Sequence, residues 1–481
     1  MQSNLVRTSG YRGRDPLQIE TLNSLPMYTG SRLFLPKKAK SEQQASLHFV
    51  SSKPTSPYSV SRKRLLYKSL LIKLLLLMAA YCLCLQASAQ IPAFHFKKAG
   101  VQTASIPYAA QNDLIIVSTK LNGKGPFNFI LDTGTATSII TDAGLRDLVG
   151  ISTNHQYAVA GVGTKAPVTA LRTNPVHVEI RGVEAPSLVF IILAENTLDL
   201  GGSLGIPIHG VMGYDFFSSF VVAVEPIPGR LVLTDPAAYQ GPEGKKWSSL
   251  PLELEDEKPY ISAKIAVTSL LEQPVRLMVD TGAGHALSLE ANAGSSSIML
   301  PAQRLRTDLG RGFGGLITGH VGRVNTISLG EYRVSSLLAS FPDSSNLRQR
   351  INIARDGNVG FDLLRRFDPV IDYPHNRLYL RPNRLQRAPF EYDMAGLKLM
   401  AAGPQYRQYI ISHIDPNSAA AQAGLHPEDE IVSINVLPAS DYTLSQLSHL
   451  FHSQNGRTIP VVVRRPDGIL FSTMLQLKRQ I

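Results

Sequence analysis

One stretch of this chain occurs twice. Phe127-Asn128-Phe129-Ile130-Leu131-Asp132-Thr133-Gly134 recurs as Val275-Arg276-Leu277-Met278-Val279-Asp280-Thr281-Gly282. Downstream, Gly210-Val211-Met212-Gly213-Tyr214-Asp215-Phe216-Phe217 recurs as Gly357-Asn358-Val359-Gly360-Phe361-Asp362-Leu363-Leu364, so the offset is 148 residues at the first motif and 147 at the second. The match continues through Phe220 and Phe367, Glu225 and Asp372, Arg230 and Arg377, and Leu231 and Leu233 with Leu378 and Leu380. An offset held over half a chain implies a duplicated unit, hence two lobes of one fold related by pseudo-symmetry.

In each copy alternating apolar residues run into Asp-Thr-Gly, the pattern of a buried strand ending in a tight turn. Further alternation, as in Val176-His177-Val178-Glu179-Ile180, and the scarcity of helical periods make each half mostly β. At most one or two short helices fit, around Asp142 to Val149 and Asp362 to Phe367. The lobes span residues 100–240 and 248–386.

After Arg381-Pro382-Asn383 the pattern changes to a small α+β domain over 392–481. Ile410–Ile414, Glu430–Asn435, Ile459–Arg464 and Phe471–Leu477 read as strands. Ala419 to Gly424 reads as a short helix stopped by glycine, and Leu444–Phe451 as an amphipathic one. Three folded units agree with 481 residues at roughly 100 to 200 residues per domain.

The net charge of +11 invites a nucleic-acid reading, but 13 Lys and Arg against 3 Asp and Glu fall in residues 1–89, and the remainder holds 35 against 34. The basic character belongs to the leader, so no nucleic-acid partner is expected. Residues 62–89 have the three parts of a signal peptide: basic Arg62, Lys63, Arg64, Lys68 and Lys73, apolar Leu74 to Leu85, and Ala87-Ser88-Ala89 as the cleavage site. The apolar run is short of the about 20 residues a membrane span needs, so cleavage after Ala89 is expected, with no stable span afterwards. Export to the periplasm or the extracellular space follows. Residues 1–61 are polar and read as a disordered extension, which a misassigned start codon would explain. Both cysteines, Cys82 and Cys84, lie in the signal segment. The mature chain would then lack disulfides, thiol catalysis and Cys-ligated zinc.

Two carboxylates held about 3 Å apart cannot both ionise, so they share a proton; one can act as base on a water while the other donates to a carbonyl. Asp132 and Asp280 are the candidates for such a pair, needing neither metal nor cofactor. Thr133 and Thr281 offer hydroxyls that can bond across the junction, and Gly134 and Gly282 permit a turn that a Cβ would obstruct.

Asp132-Thr133-Gly134-Thr135 and Asp280-Thr281-Gly282-Ala283, each followed by an apolar-apolar-Gly turn, resemble the pepsin and retropepsin family of aspartic peptidases over residues 105–382. Asn358 stands where that turn usually has an apolar residue. The resemblance implies catalytic Asp132 and Asp280, active-site support from Thr133, Gly134, Thr281 and Gly282, and glycine-containing flaps. Gly161 and Gly163, and Gly314 and Gly315, are the flap candidates. The tail, through Asp415–Leu425 and Asp429–Asn435, is similar to a PDZ domain. That implies an extended peptide ligand whose terminal carboxylate meets the backbone at Gly396 and Leu397. Glu428 and Val436 stand where such domains usually have glycine.

Other motifs read more plainly. Asp215 and Asp362 each precede an apolar run and read as caps of short helices. Gly201–Gly205 and Gly310–Gly315 match a nucleophile elbow and a dinucleotide loop without the strand and helix those need, so both read as flexible loops. His285, with no clustered partners, reads as a pocket or surface histidine and not a metal ligand. The expected fold is mainly β: two pseudo-symmetric pepsin-like lobes, then a small PDZ-like domain. The expected function is an exported aspartic endopeptidase acting on peptide or protein substrates. A catalytically inactive peptide-binding protein on the same scaffold is the alternative.

Overall fold

The structure is a computed structural model and describes residues 93–159, 168–196, 198–268, 271–291, 298–312, 315–343 and 354–481. The extension 1–61 and the signal segment 62–89 lie outside the described residues. Among the described residues no helix is long and apolar enough to cross a membrane.

The chain is mainly β, as the sequence implies, and the two repeats weave their sheets in the same way. In the first, eleven-stranded sheet, Lys124–Leu131 pairs antiparallel with Leu114–Leu121 and parallel with Gly210–Met212. In the second, eight-stranded sheet, Gln273–Asp280 pairs antiparallel with Lys258–Ala266 and parallel with Gly357–Gly360. Ile139–Ile140 lies antiparallel to Gly210–Met212 and parallel to Ile191–Leu193. Leu287–Leu289 repeats this with Gly357–Gly360 and Tyr332–Pro342. Strands placed centrally in such a weave are covered on both faces, which is why Ile130 is buried as well as Phe129 and Leu131 on the opposite face, and Met278 as well as Leu277 and Val279.

A six-stranded sheet joins the lobes, in the order Ser248–Pro251, Arg377–Leu380, Val370–Asp372, Val221–Glu225, Arg230–Thr234, Thr103–Pro107. At its centre Ala223 pairs with Val370, its own equivalent at the 147-residue offset. A residue facing its own repeat in an antiparallel pair marks the pseudo-two-fold axis. One continuous apolar core runs through both lobes, including a ring pile of Phe94, Phe216, Phe217 and Phe220, whereas the tail has its own core around Tyr409, Leu447 and Val461.

The tail forms a six-stranded sheet with helices Ala419–Gln422 and Leu444–Phe451. The second helix starts in a capping box of Thr443 and Gln446, which satisfies donors at both ends of its first turn. The tail docks against the second-lobe hairpin of Arg304–Gly312 and Gly315–Leu329. His413 bridges Asp308 and Asp415 at 3.2 Å each, Lys398 donates to the Asp308 carbonyl, and Tyr392 donates to Asp415 at 3.0 Å.

Three local expectations are corrected. Residues 201–205 are not a loop: Leu200–Leu204 is a one-turn helix, because the Asp199 carboxylate accepts from Gly202 N at 3.1 Å and Gly205, with φ of 70°, ends the turn. Residues 310–312 and 315 belong to the second-lobe hairpin, where a bulge between Asp308 and Gly310 absorbs the glycines. Asp215 and Asp362 do not cap helices. The N-caps are Gly213 and Gly360; Asp215 instead accepts from Ser138 at 3.2 Å, and Asp362 pairs with Arg365 and Arg366.

Candidate active site

The structure brings Asp132 and Asp280 to the same place from two sheets. Each follows a central strand, and each loop is pinned by the turn of its own repeat: Asp132 N donates to Met212 O at 2.9 Å, and Phe361 N to Ala283 O at 2.7 Å. Gly213 and Gly360 come so close to these loops that a Cβ would stand 1.8 Å from Thr135 O and 2.0 Å from His285 O. No side chain fits there, which accounts for a glycine in both copies.

Across the axis the lobes grip each other through equivalent threonines. Thr133 Oγ1 donates to Val279 O at 2.7 Å and accepts from Thr281 N at 3.0 Å. Thr281 Oγ1 donates to Leu131 O at 2.9 Å and accepts from Thr133 N at 3.1 Å. Both side chains are fully buried. The hydroxyls therefore satisfy four backbone groups that would otherwise be orphaned at the lobe junction.

The carboxylates face each other across the junction, and each shifts the ionisation of the other. Gly134 N donates to Asp132 Oδ1 at 2.7 Å and Gly282 N to Asp280 Oδ1 at 3.1 Å. The inner oxygens converge: both Oδ1 atoms lie within 3.2 Å of the point where a Gly134 Cβ would stand. A Gly282 Cβ would fall 2.2 Å from Asp132 Cγ. Those glycines are required by the closeness of the pair, not by an unusual backbone angle. On the outer side Thr135 Oγ1 donates to Asp132 Oδ2 and Asn358 Nδ2 to Asp280 Oδ2, each at 2.6 Å.

Burial, and then the charge of Asp280, pushes Asp132 up to about 7. Burial also raises Asp280, opposed by its bond from Asn358, by the Arg355 guanidinium, by Asp132 and by its bond from Gly282. Arg355 is itself held by Glu290 at 2.8 Å. Among the described residues no group of three or more His, Cys, Asp and Glu is arranged to hold a metal ion.

Several neighbours escaped the sequence reading. Tyr373 packs on Phe217 and donates to Thr133 O at 3.2 Å directly beneath the pair. Tyr373→Phe is expected to cost about 1 kcal/mol, the typical value of such a bond, read as a shift in the denaturation midpoint. Asn358 and His285, whose Nε2 lies 3.3 Å from Asn358 Oδ1, are also part of the site. The polarity of Asn358 inside an otherwise apolar repeat was the available signal.

Of the flap candidates, Gly161, Gly163 and Gly314 lie outside the described residues. Gly315, with φ of 100°, pairs with Gly312 at the end of the second-lobe hairpin. The first lobe has a matching hairpin of Thr153–Val159 and Val168–Thr173.

In the tail, Leu397–Ala402 and the helix Leu444–Phe451 border a cavity of about 830 Å³ whose other walls come from both lobes, including Tyr108 and Asp113 of the first and His285 and Phe361 of the second. The Gly396 N–H donates to the Asp393 carboxylate at 2.5 Å, with Leu397 next along the chain. A resident carboxylate thus occupies a donor expected for a ligand.

A family model described as aspartyl protease matches residues 117–216 and again 266–363, and a PDZ domain model matches 410–465. Among curated proteins nothing matches. Solved structures that match include the crystal structure of aspartic proteinase from Irpex lacteus, 14% identical, with a TM-score of 0.39, covering 60% of this chain and 99% of that one. Two segments of the chain, one in each lobe, are thus similar to the aspartyl protease family, and a segment similar to PDZ domains follows the second lobe.

Proposed function

We propose that the protein is an exported aspartic endopeptidase that hydrolyses peptide bonds with a water activated between Asp132 and Asp280. The observation that carries this reading is the pair itself: two carboxylates from two repeats, converging on one point at the lobe junction and clamped by reciprocal threonines. Asp280, ionised, takes a proton from the water as its oxygen forms a bond to the peptide carbonyl carbon. Asp132 gives its proton to the carbonyl oxygen. On collapse the C–N bond breaks and the amine leaves with the proton from Asp280, while a hydroxyl proton of the intermediate returns to Asp132. An extended chain bound across the pair would run between the two hairpins, which supports cleavage within a chain rather than at its ends. An inactive scaffold would tolerate damage at the pair, and both carboxylates keep all their donors.

The tail is proposed to recruit or position substrate. Its groove faces both lobes, so a bound peptide would lie against the peptidase body. A peptide carboxylate reaching Gly396 and Leu397 must displace Asp393. Burial raises the Asp393 pKa, so protonation in acid would free the Gly396 donor. Export to the periplasm or the extracellular space is supported by the signal pattern of residues 62–89.

The pH dependence of hydrolysis tests the reading. Activity needs one proton on the pair, so the rate rises as Asp280 ionises and falls as Asp132 loses its proton. A bell is expected with its alkaline limb near the value of about 7 for Asp132. A rate flat between about pH 3 and 8 would contradict the shared-proton mechanism.

A further inference from the structure

Resting on the peptidase reading, we propose that Asn358, oriented by His285, is a positioning residue that makes Asp280 the ionised member of the pair and leaves the shared proton on Asp132. The repeats differ at one compensated point. Thr135, which donates to Asp132 Oδ2, has Ala283 as its equivalent 148 residues on, with no group to donate. Val211, apolar and buried, has Asn358 as its equivalent 147 residues on, and Asn358 donates to Asp280 Oδ2 at 2.6 Å. The hydroxyl and apolar residue of the first lobe become an apolar residue and an amide in the second.

The exchange is not chemically neutral. A hydroxyl donates or accepts, so Thr135 serves Asp132 whether or not Oδ2 carries a proton. An amide NH2 only donates, so Asn358 requires a bare Asp280 Oδ2. Asn358 could present its oxygen instead; with its proton on Nε2, His285, 3.3 Å from Asn358 Oδ1, donates to that oxygen and holds the amide nitrogen toward Asp280. The other groups facing this point are Arg355, paired with Glu290 and beside Tyr260, then Asp132, Tyr373 under the pair, and Asp362 on the far side of His285. Arg355 favours the same charge on Asp280.

The test is the titration of the pair, followed by NMR of the purified protein carrying aspartate labelled with carbon-13 at the carboxyl, with Asp132→Asn and Asp280→Asn assigning the signals. Asn358→Val, which installs the residue of the first lobe, is expected to raise the lower of the two steps by about one pH unit, the size of one charge-assisted hydrogen bond. The acid limb of the rate profile should move with it. Adding Ala283→Thr, which supplies the hydroxyl of the first lobe, should bring the step back only in part, since that hydroxyl serves a protonated Oδ2 as well. His285→Phe, which leaves Asn358 in place, should move it the same way by less. An unmoved lower step in Asn358→Val, or in His285→Phe should the first variant not fold, overturns the proposal. So does a folded double variant that restores it in full. Because the titration is read without substrate, a moved step in a protein that hydrolyses nothing would retain the positioning role and sink the peptidase reading; an active protein with an unmoved step would do the reverse.

Discussion

Asp132→Asn is expected to lower peptide hydrolysis about 10⁴-fold or more, and Asp280→Asn to do the same, because residues acting as a unit fail together when either is removed. With asparagine at 132 the pair has no acid to protonate the carbonyl oxygen. At 280 it has no base for the water. Each substitution keeps the shape of the side chain; at 132 Gly134 N still finds an oxygen and Thr135 can accept from the new amide, whereas at 280 an oxygen kept for Gly282 N sets the new amide nitrogen against Asn358 Nδ2, a local loss of about 1 kcal/mol. The folded state should therefore survive, and the loss should appear in kcat with little change in KM. More than about a tenth of the original rate in either variant would mean that the pair is not the site of chemistry.

Thr281→Val should have the largest effect on stability. Valine fits the space, but Leu131 O and Thr133 N lose their partners, at 2.9 and 3.1 Å, in a fully buried junction. Each orphaned buried group costs about 1–3 kcal/mol, so a loss of about 2–6 kcal/mol is expected. Thr133→Val should cost a similar amount, and the double variant less than the sum, since both belong to one network. Trp247, the single tryptophan of the chain, adjoins the strand Ser248–Pro251 of the interlobe sheet and gives a convenient fluorescence signal for unfolding. A change below about 0.5 kcal/mol, as for an ordinary surface substitution, would show that the threonines do not hold the lobes together.

The mainly β, two-lobed fold was legible in the sequence because a duplication carries its own alignment. The offset between Asp132 and Asp280 also relates Ile139 to Leu287 and Ile191 to Ala339, and the structure pairs them in the same register. Helix Leu444–Phe451 was legible to the residue, since its cap and apolar stripe are local. Glycine-rich stretches were not. Leu200–Leu204 is capped by Asp199 and ended by Gly205, and its Gly201 and Gly202 lie against Tyr406 and Met400 of the tail, a contact that no local pattern encodes. The proximity of Asp132 and Asp280, with the threonines and glycines beside them, could be inferred from the repeat, whereas the partners brought in from other elements could not. Tyr373 reaches Thr133 from 240 residues away, and Asp393 fills the Gly396 loop by a backbone turn with no distinctive signature. Asn358 was visible only as a departure from its repeat, and its partner His285 only as an isolated histidine.

The most direct measurement is cleavage of a diverse peptide library by the purified protein, resolved by mass spectrometry, with and without pepstatin and beside Asp280→Asn. Cuts within peptides that pepstatin suppresses and the variant lacks are the predicted result. Persistent cleavage by Asp280→Asn, or no cleavage by the unaltered protein between about pH 3 and 8, would contradict an aspartic endopeptidase working through this pair.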